Sequence, residues 1–145
     1  LDSRRTADIN AFVLAVQLAR SEAAKRGSPA IVCPSPDGAR CGGGQPGYDA
    51  GGIVFVNEAD VRPPQRSPAE PPVYVHQPET DGTIVGNRDW FEFAPFRRRS
   101  TNGTVVFCDP RGAPAARAVI VSYTGRPRVD SVAADGKPLI CARLP

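Results

Sequence analysis

The sequence has no methionine, a single histidine (His76), a single tryptophan (Trp90) and only two lysines (Lys25 and Lys137). One histidine leaves little room for hydrolytic chemistry. A Ser-His-Asp or Cys-His arrangement would have to use His76, which lies in "VYVHQPET" with no nucleophile motif beside it. No C-x-x-C pair occurs, which argues against zinc at its usual ligand spacing. No Gly-rich loop opens a helix, so the phosphate cradle of nucleotide-binding proteins is missing. No apolar run reaches the roughly 18 residues of a membrane-spanning helix. Carboxylates such as Glu79 and Asp81 stand in loop-like sequence and read as solvated surface. The expectation is a protein that is not an enzyme and carries no metal or cofactor.

What the chain does contain is proline, glycine and arginine. Sixteen prolines and 14 glycines in 145 residues favour short strands and long loops over a helical bundle. The length fits one domain, and 41% hydrophobic with 23% charged residues fits a globular one. Of the 18 basic residues, 16 are Arg. An arginine bias also arises from genome composition, so its distribution matters more than its size. Between Arg88 and Arg128, eight Arg face only Asp89, Glu92 and Asp109, an excess larger than the net charge of +3 for the whole chain. Arg presents a planar fork of donors suited to phosphate and carboxylate.

The four cysteines are Cys33, Cys41, Cys108 and Cys141. An even count with one close and one distant pair reads as two disulfides. Of three possible pairings, Cys33–Cys41 and Cys108–Cys141 is preferred. The first closes the loop "CPSPDGARC", and the second ties a strand to the C-terminal segment. Each contributes about 2–4 kcal/mol. Disulfides imply an oxidising compartment such as the periplasm or cell surface.

Residues 1–27 read as the one long helix. Ile9, Phe12, Val13, Val16, Ala19 and Ala23 recur at helical spacing, and Arg4, Asp8, Gln17, Glu22 and Lys25 are assigned to the opposite face. Gly27 suits a left-handed C-cap, and Pro29 prevents continuation. After it the pattern is β: 30–33, 52–57, 73–77, 80–85, 89–96, 103–109, 116–123 and 138–144, with a polar, proline-rich loop at 58–72. Alternation in "DWFEFAPF" sets Trp90 on the pleat face opposite Phe91 and Phe93. The fold class expected is α+β, one N-terminal helix packed on antiparallel sheet.

Three stretches together resemble the FimT/FimU/GspH family of minor pilins and pseudopilins. "LARSEAAKRGSPAIVCPSPDG" (18–38) looks like the family's helix end and first strand. "GYDAGGIVFVN" (47–57) resembles its W-x-x-G-x-x-V-F element, with Tyr48 where Trp is usual. "FAPFRRRSTNGTVVFCDPRGAPAARAVIVSYTGRPRV" (93–129) is similar to its long C-terminal signature, which ends in G-R-x-R at Gly125, Arg126 and Arg128. The resemblance implies a type IV pilin-like fold, with residues 1–28 as the C-terminal half of the pilin helix and 29–145 as a globular β domain. It also implies a non-catalytic subunit whose partners are other major and minor pilins. The chain starts without the family's leader and hydrophobic stretch. The expectation is therefore the soluble part of a subunit that is membrane-anchored before assembly and displayed on a surface pilus, the isolated part being a monomer.

In FimT-type subunits the G-R-x-R element is associated with DNA capture during uptake, in natural transformation. The residues suit that role. Gly125 allows a tight turn, and Pro127 pushes Arg126 toward an extended conformation. Alternation then sends Arg126 and Arg128 to one side, about 6.5–7 Å apart along a strand, comparable to successive phosphates. Arg97, Arg98, Arg99 and Arg117 would extend the surface if the fold brings them together. Contact with phosphates alone would be non-specific and salt-sensitive. The alternatives are a structural role in the pilus-initiating tip complex, with the arginines facing acidic groups of neighbouring pilins, or a type II secretion pseudopilin.

Overall fold

In a computed structural model, which describes residues 2–42, 47–95 and 99–141, the N-terminal segment forms helix α1 (Asp2–Arg26). Its buried stripe is Ile9, Phe12, Val16, Ala19 and Ala23, with Val16 and Ala19 wholly excluded from solvent. Gly27, at φ 65°, ends it, and its N–H reaches the Ala23 carbonyl at 2.9 Å. Among the described residues no helix is long and apolar enough to cross a membrane.

The helix lies across two antiparallel four-stranded sheets. In the first, β1 (Ala30–Pro34) sits between β2 (Gly52–Val56) and β5 (Phe91–Phe93), and β3 (Tyr74–His76) pairs outside β2. Ala30, Val32, Val54, Val56, Phe91 and Phe93 face the helix. Ile31, Cys33, Ile53 and Phe55 form the other face, covered by Trp90 and Cys41. Burial on both faces explains why β1 and β2 read as near-continuous apolar runs. Trp90 does fall opposite Phe91 and Phe93, as alternation required. Phe12 joins the layers, meeting Tyr48, Phe91 and Phe107 edge-on at 5.3, 6.0 and 6.1 Å.

The second sheet runs β4 (Thr83–Gly86), β6 (Gly103–Cys108), β7 (Arg117–Val121), β8 (Pro127–Asp130) in spatial order. Ile84, Val105, Phe107, Val119 and Val121 point to the helix. Ala118 and Ile120 form a second, smaller cluster on the far face with Cys108 and Leu139.

Both disulfides have the preferred pairing, with Cα–Cα separations of 5.6 Å for Cys33–Cys41 and 5.9 Å for Cys108–Cys141. The loop closed by the first is organised by Asp37, whose carboxylate accepts the N–H groups of Ala39 and Arg40 at 2.9 and 3.0 Å. Those bonds hold its carboxyl below the usual range. The proline-rich segment is fastened to the same loop. Arg66 Nε donates to the Ala39 carbonyl at 2.7 Å, and Gln65 Oε1 accepts the Cys41 N–H at 2.7 Å.

Two expectations need correction. The strand expected over 138–144 is not formed in its described part, and residues 142–144 lie outside the described residues. Pro138 makes only an isolated bridge to Val132, Leu139 packs flat on the far face of β6 and β7, and the disulfide holds Cys141. Instead β8 completes that sheet, with the donor-less Pro127 opening an outer strand where a missing N–H is tolerated. Asp8, assigned to the polar face of α1, is 1% exposed. It sits four residues before Phe12, on the flank of the apolar stripe, where Oδ1 accepts the Glu79 N–H at 2.9 Å and meets His76 Nε2 at 3.3 Å.

Candidate functional site

The chain reverses between β7 and β8 through Ser122–Arg126. The Gly125 N–H donates to the Ser122 carbonyl at 2.8 Å, and the Ser122 N–H donates to the Arg126 carbonyl at 3.1 Å. This is a three-residue hairpin loop, whose last position is left-handed and calls for glycine. Gly125 has φ 79°. Space also restricts that position, because a Cβ built there would lie 3.1 Å from Phe93 Cδ1 and 3.2 Å from Arg20 Cδ and Nε. Thus the buried Gly125 seats the hairpin against both β5 and the helix.

The hairpin fixes the two arginines that follow. Val121 pairs with Pro127 and Ile120 with Arg128, so Arg126 stands opposite Ser122. Arg126 and Arg128 therefore share the face of Ser122 and Ile120, the face turned away from α1, as alternation around Pro127 required. Both are exposed. Arg128 Nη1 donates to Asp130 Oδ2 at 2.6 Å. The Ser131 N–H, and after it Arg128, hold the Asp130 carboxyl below the usual range, which keeps it ionised. Arg126 has no acidic partner among the described residues.

Other arginines gather at the same end of the sheet. The Ser100 N–H donates to the Tyr123 carbonyl at 2.9 Å, bringing the segment before β6 against the loop. Arg99 places its guanidinium carbon 4.7 Å from the Tyr123 ring centroid. Arg20 reaches the hairpin from α1 along Gly125. Arg88 donates to the carbonyl and side chain of Asn102 at 2.8 and 3.1 Å, one residue beyond the Gly103–Val121 pair. Glu92, the nearby acid in β5, is taken up by Arg62, with which it forms two hydrogen bonds.

Arg117 does not join this group. It opens β7, opposite Phe107, and donates to the Ala116 carbonyl at 2.7 Å. Four residues of strand separate it from Val121, a rise of about 13 Å. Arg97 and Arg98 lie outside the described residues. Of the expected set, the structure brings Gly125, Arg126, Arg128 and Arg99 together and sets Arg117 at the opposite end. Arg20 and Arg88 were missed. Arg20 follows Val13 by seven residues on the flank of the stripe, the position from which a long side chain extends along apolar surface to a neighbouring element. That pattern was readable, but its target was not. Arg88 gave no signal beyond its place in the basic segment.

His76 belongs to another part of the molecule. With Asp8, Phe12 and Tyr48 it lines a cavity of about 20 Å³ between α1 and β3, room for roughly one water. Among the described residues no three His, Cys, Asp or Glu side chains could together hold a metal ion.

The family described as "Type II transport protein GspH" matches residues 8–125. The chain belongs to the GspH family. The match ends at Gly125, so Arg126 and Arg128 lie just beyond the matched residues. In three dimensions this GspH-family chain is similar to the type IV minor pilin FimU of Pseudomonas aeruginosa (strain PAO1), known from a crystal structure. The TM-score is 0.64 at 18% identity, over 97% of this chain and 99% of that one. At such identity the likeness speaks for the fold: one helix on antiparallel sheets, the type IV pilin fold. No curated protein matches the chain in sequence. Family and fold make it a minor pilin-like or pseudopilin-like protein.

The family element "YDAGGIVF" is part of the core here. Tyr48 is buried against Phe12, and burial pushes its phenol far above the ordinary range. Gly51 turns the chain at φ 128°, where a Cβ would meet the Ser35 carbonyl at 2.6 Å.

Proposed function

We propose that this protein is a FimT-type minor pilin that binds DNA without regard to sequence, through the β7–β8 hairpin, for DNA uptake in natural transformation at the cell-surface pilus. The observation that carries the reading is the convergence of Arg99, Arg126 and Arg128 at one hairpin, with Arg99 and Arg126 lacking acidic partners among the described residues. A structural arginine is normally neutralised by a carboxylate or by carbonyls, as Arg62 and Arg66 are. Two unneutralised guanidinium groups on a rigid turn present donors to an anion from outside. Spaced along an extended chain, Arg126 and Arg128 suit two phosphates of one strand. Among the described residues the one α-helix, α1, packs on the sheets and does not present itself to a groove for base reading, and sequence-independence is what uptake of arbitrary DNA requires. Affinity for one subunit is expected at about 10⁻⁴–10⁻⁶ M.

The family description favours a second reading, a pseudopilin of a type II secretion system whose arginines meet acidic patches of neighbouring pilins. A mobility-shift titration with duplexes of unrelated sequence, at two salt concentrations, separates the two. The DNA reading predicts binding that weakens with salt. It also predicts loss of binding in the Arg126→Ala, Arg128→Ala double variant, with the fold intact by circular dichroism. No shift at about 100 μM protein in low salt, with these duplexes and with a single strand of equal nucleotide number, would remove DNA as the ligand and leave the subunit-packing role.

A further inference from the structure

Folding does not account for the side chain of Tyr123. It is 52% exposed at the tip of the hairpin and belongs to none of the core clusters. Its phenol makes no hydrogen bond among the described residues. The hairpin needs only its backbone, since its carbonyl accepts the Ser100 N–H. Among the described residues the ring lies against the Arg99 guanidinium, at 4.7 Å, within the range of a cation–π pair. Arg126 follows three residues later and is exposed.

Resting on the DNA reading above, we propose that Tyr123 is a stacking platform for an unpaired nucleobase, flanked by Arg99 and Arg126 as phosphate contacts, so that the hairpin prefers single-stranded to duplex DNA. Aromatic rings set among basic side chains are how proteins hold single strands, because every base offers a π-face and stacking is indifferent to sequence. In a duplex those faces are covered by neighbouring base pairs, and a ring on a hairpin tip meets only the backbone. Arg99 over the ring holds the aromatic plane in place and keeps a cation beside it. A base stacked on Tyr123 therefore has its own phosphate within reach of a guanidinium.

Electrostatics alone runs the other way. Duplex DNA has the higher charge density and the larger counterion release per neutralised phosphate. A preference for single strands therefore cannot come from the arginines, and isolates the contribution of the ring.

The test is fluorescence anisotropy with a labelled oligo-thymidine and a labelled hairpin duplex of equal nucleotide number, on the wild type, Tyr123→Phe and Tyr123→Leu. Tighter binding of the single strand by the wild type is expected, with Tyr123→Phe unchanged. In Tyr123→Leu, single-strand affinity should fall about tenfold while duplex affinity stays within about twofold. The tenfold ratio should be the same at low and high salt, because stacking releases no counterions. Duplex binding as tight as single-strand binding, with Tyr123→Leu affecting neither or both alike, would overturn this inference and leave the hairpin as a duplex binder. Failure of the wild type to bind either probe would overturn it together with the reading on which it rests.

Discussion

Gly125 carries two constraints at once, a left-handed backbone and the close approach of Phe93 and Arg20. Gly125→Ala adds no charge and removes none, yet it forces a Cβ into both. The expected cost is about 1–2 kcal/mol from the backbone alone, with more from the displaced neighbours. Chemical denaturation of the variant checks this, and its DNA affinity should fall although every arginine remains. At Asp130 the opposite outcome is expected. Its carboxylate occupies Arg128 and repels phosphate, while the exposed ion pair itself contributes little to stability. Asp130→Asn should therefore tighten DNA binding by several-fold and leave the melting temperature nearly unchanged, as a paired titration and thermal melt would record.

The residues of this hairpin were legible in the sequence because turn chemistry is local: a glycine two residues before a fixed proline φ, with arginines on either side of that proline. What surrounds them was not legible. That Arg99 lies on Tyr123 depends on the Ser100–Tyr123 hydrogen bond, and that Arg20 abuts Gly125 depends on how the helix crosses the sheet. Arg117 illustrates the limit. It belongs to the same basic segment, but strand length carries it to the far end. Asp8 illustrates it differently, since a polar residue on a stripe's flank is buried only where a partner such as His76 arrives from a distant strand.

At the level of elements, the span and apolar stripe of α1 were readable, because its apolar spacing and the Gly27–Pro29 stop are signals within one segment. β8 was not, because its alternation is carried by Arg128 and Asp130 rather than by apolar residues, and pairing with β7 defines it. The helix holds the two sheets together largely through Phe12, which touches rings of both layers. Phe12→Ala is expected to cost about 3–5 kcal/mol in a denaturation experiment. The Cys108–Cys141 bond spans 33 residues that include the whole hairpin. Replacing both cysteines with serine should remove about 3–4 kcal/mol by the loop-entropy relation. Because the C-terminal segment is tied to β6 chiefly by that bond and by Leu139, limited proteolysis of the variant should cut first after β8.

Across the whole molecule, charge is distributed unevenly between the ends of the second sheet. The hairpin end carries Arg88, Arg99 and Arg126, whereas Asp81 and Asp109 lie toward the other end, near Arg111 and Arg117, and Asp130 stands between, paired with Arg128. Acid stability depends on that second group. Arg111 holds the Asp109 carboxyl at about 2, below its ordinary value. A depressed carboxylate stabilises the fold above its unfolded pKa, near 3.9, and that contribution is lost as pH falls through the folded value. Wild type should accordingly be more stable than Asp109→Asn by a constant amount from pH 7 to about pH 5. The gap should narrow below about pH 4 and close near pH 2, as denaturant midpoints across that range would reveal.

We propose that DNA is held at the hairpin end of this pilin-like fold. Titrating ¹⁵N-labelled protein with a short DNA strand and following amide chemical shifts tests it most directly. Shifts are expected only in the surroundings of Arg20, Arg88, Arg99 to Asn102 and Ser122 to Arg128, with Arg117 and the Asp8–His76 region unmoved. Shifts centred on Arg117 or on the proline-rich loop, or none at millimolar DNA, would contradict it.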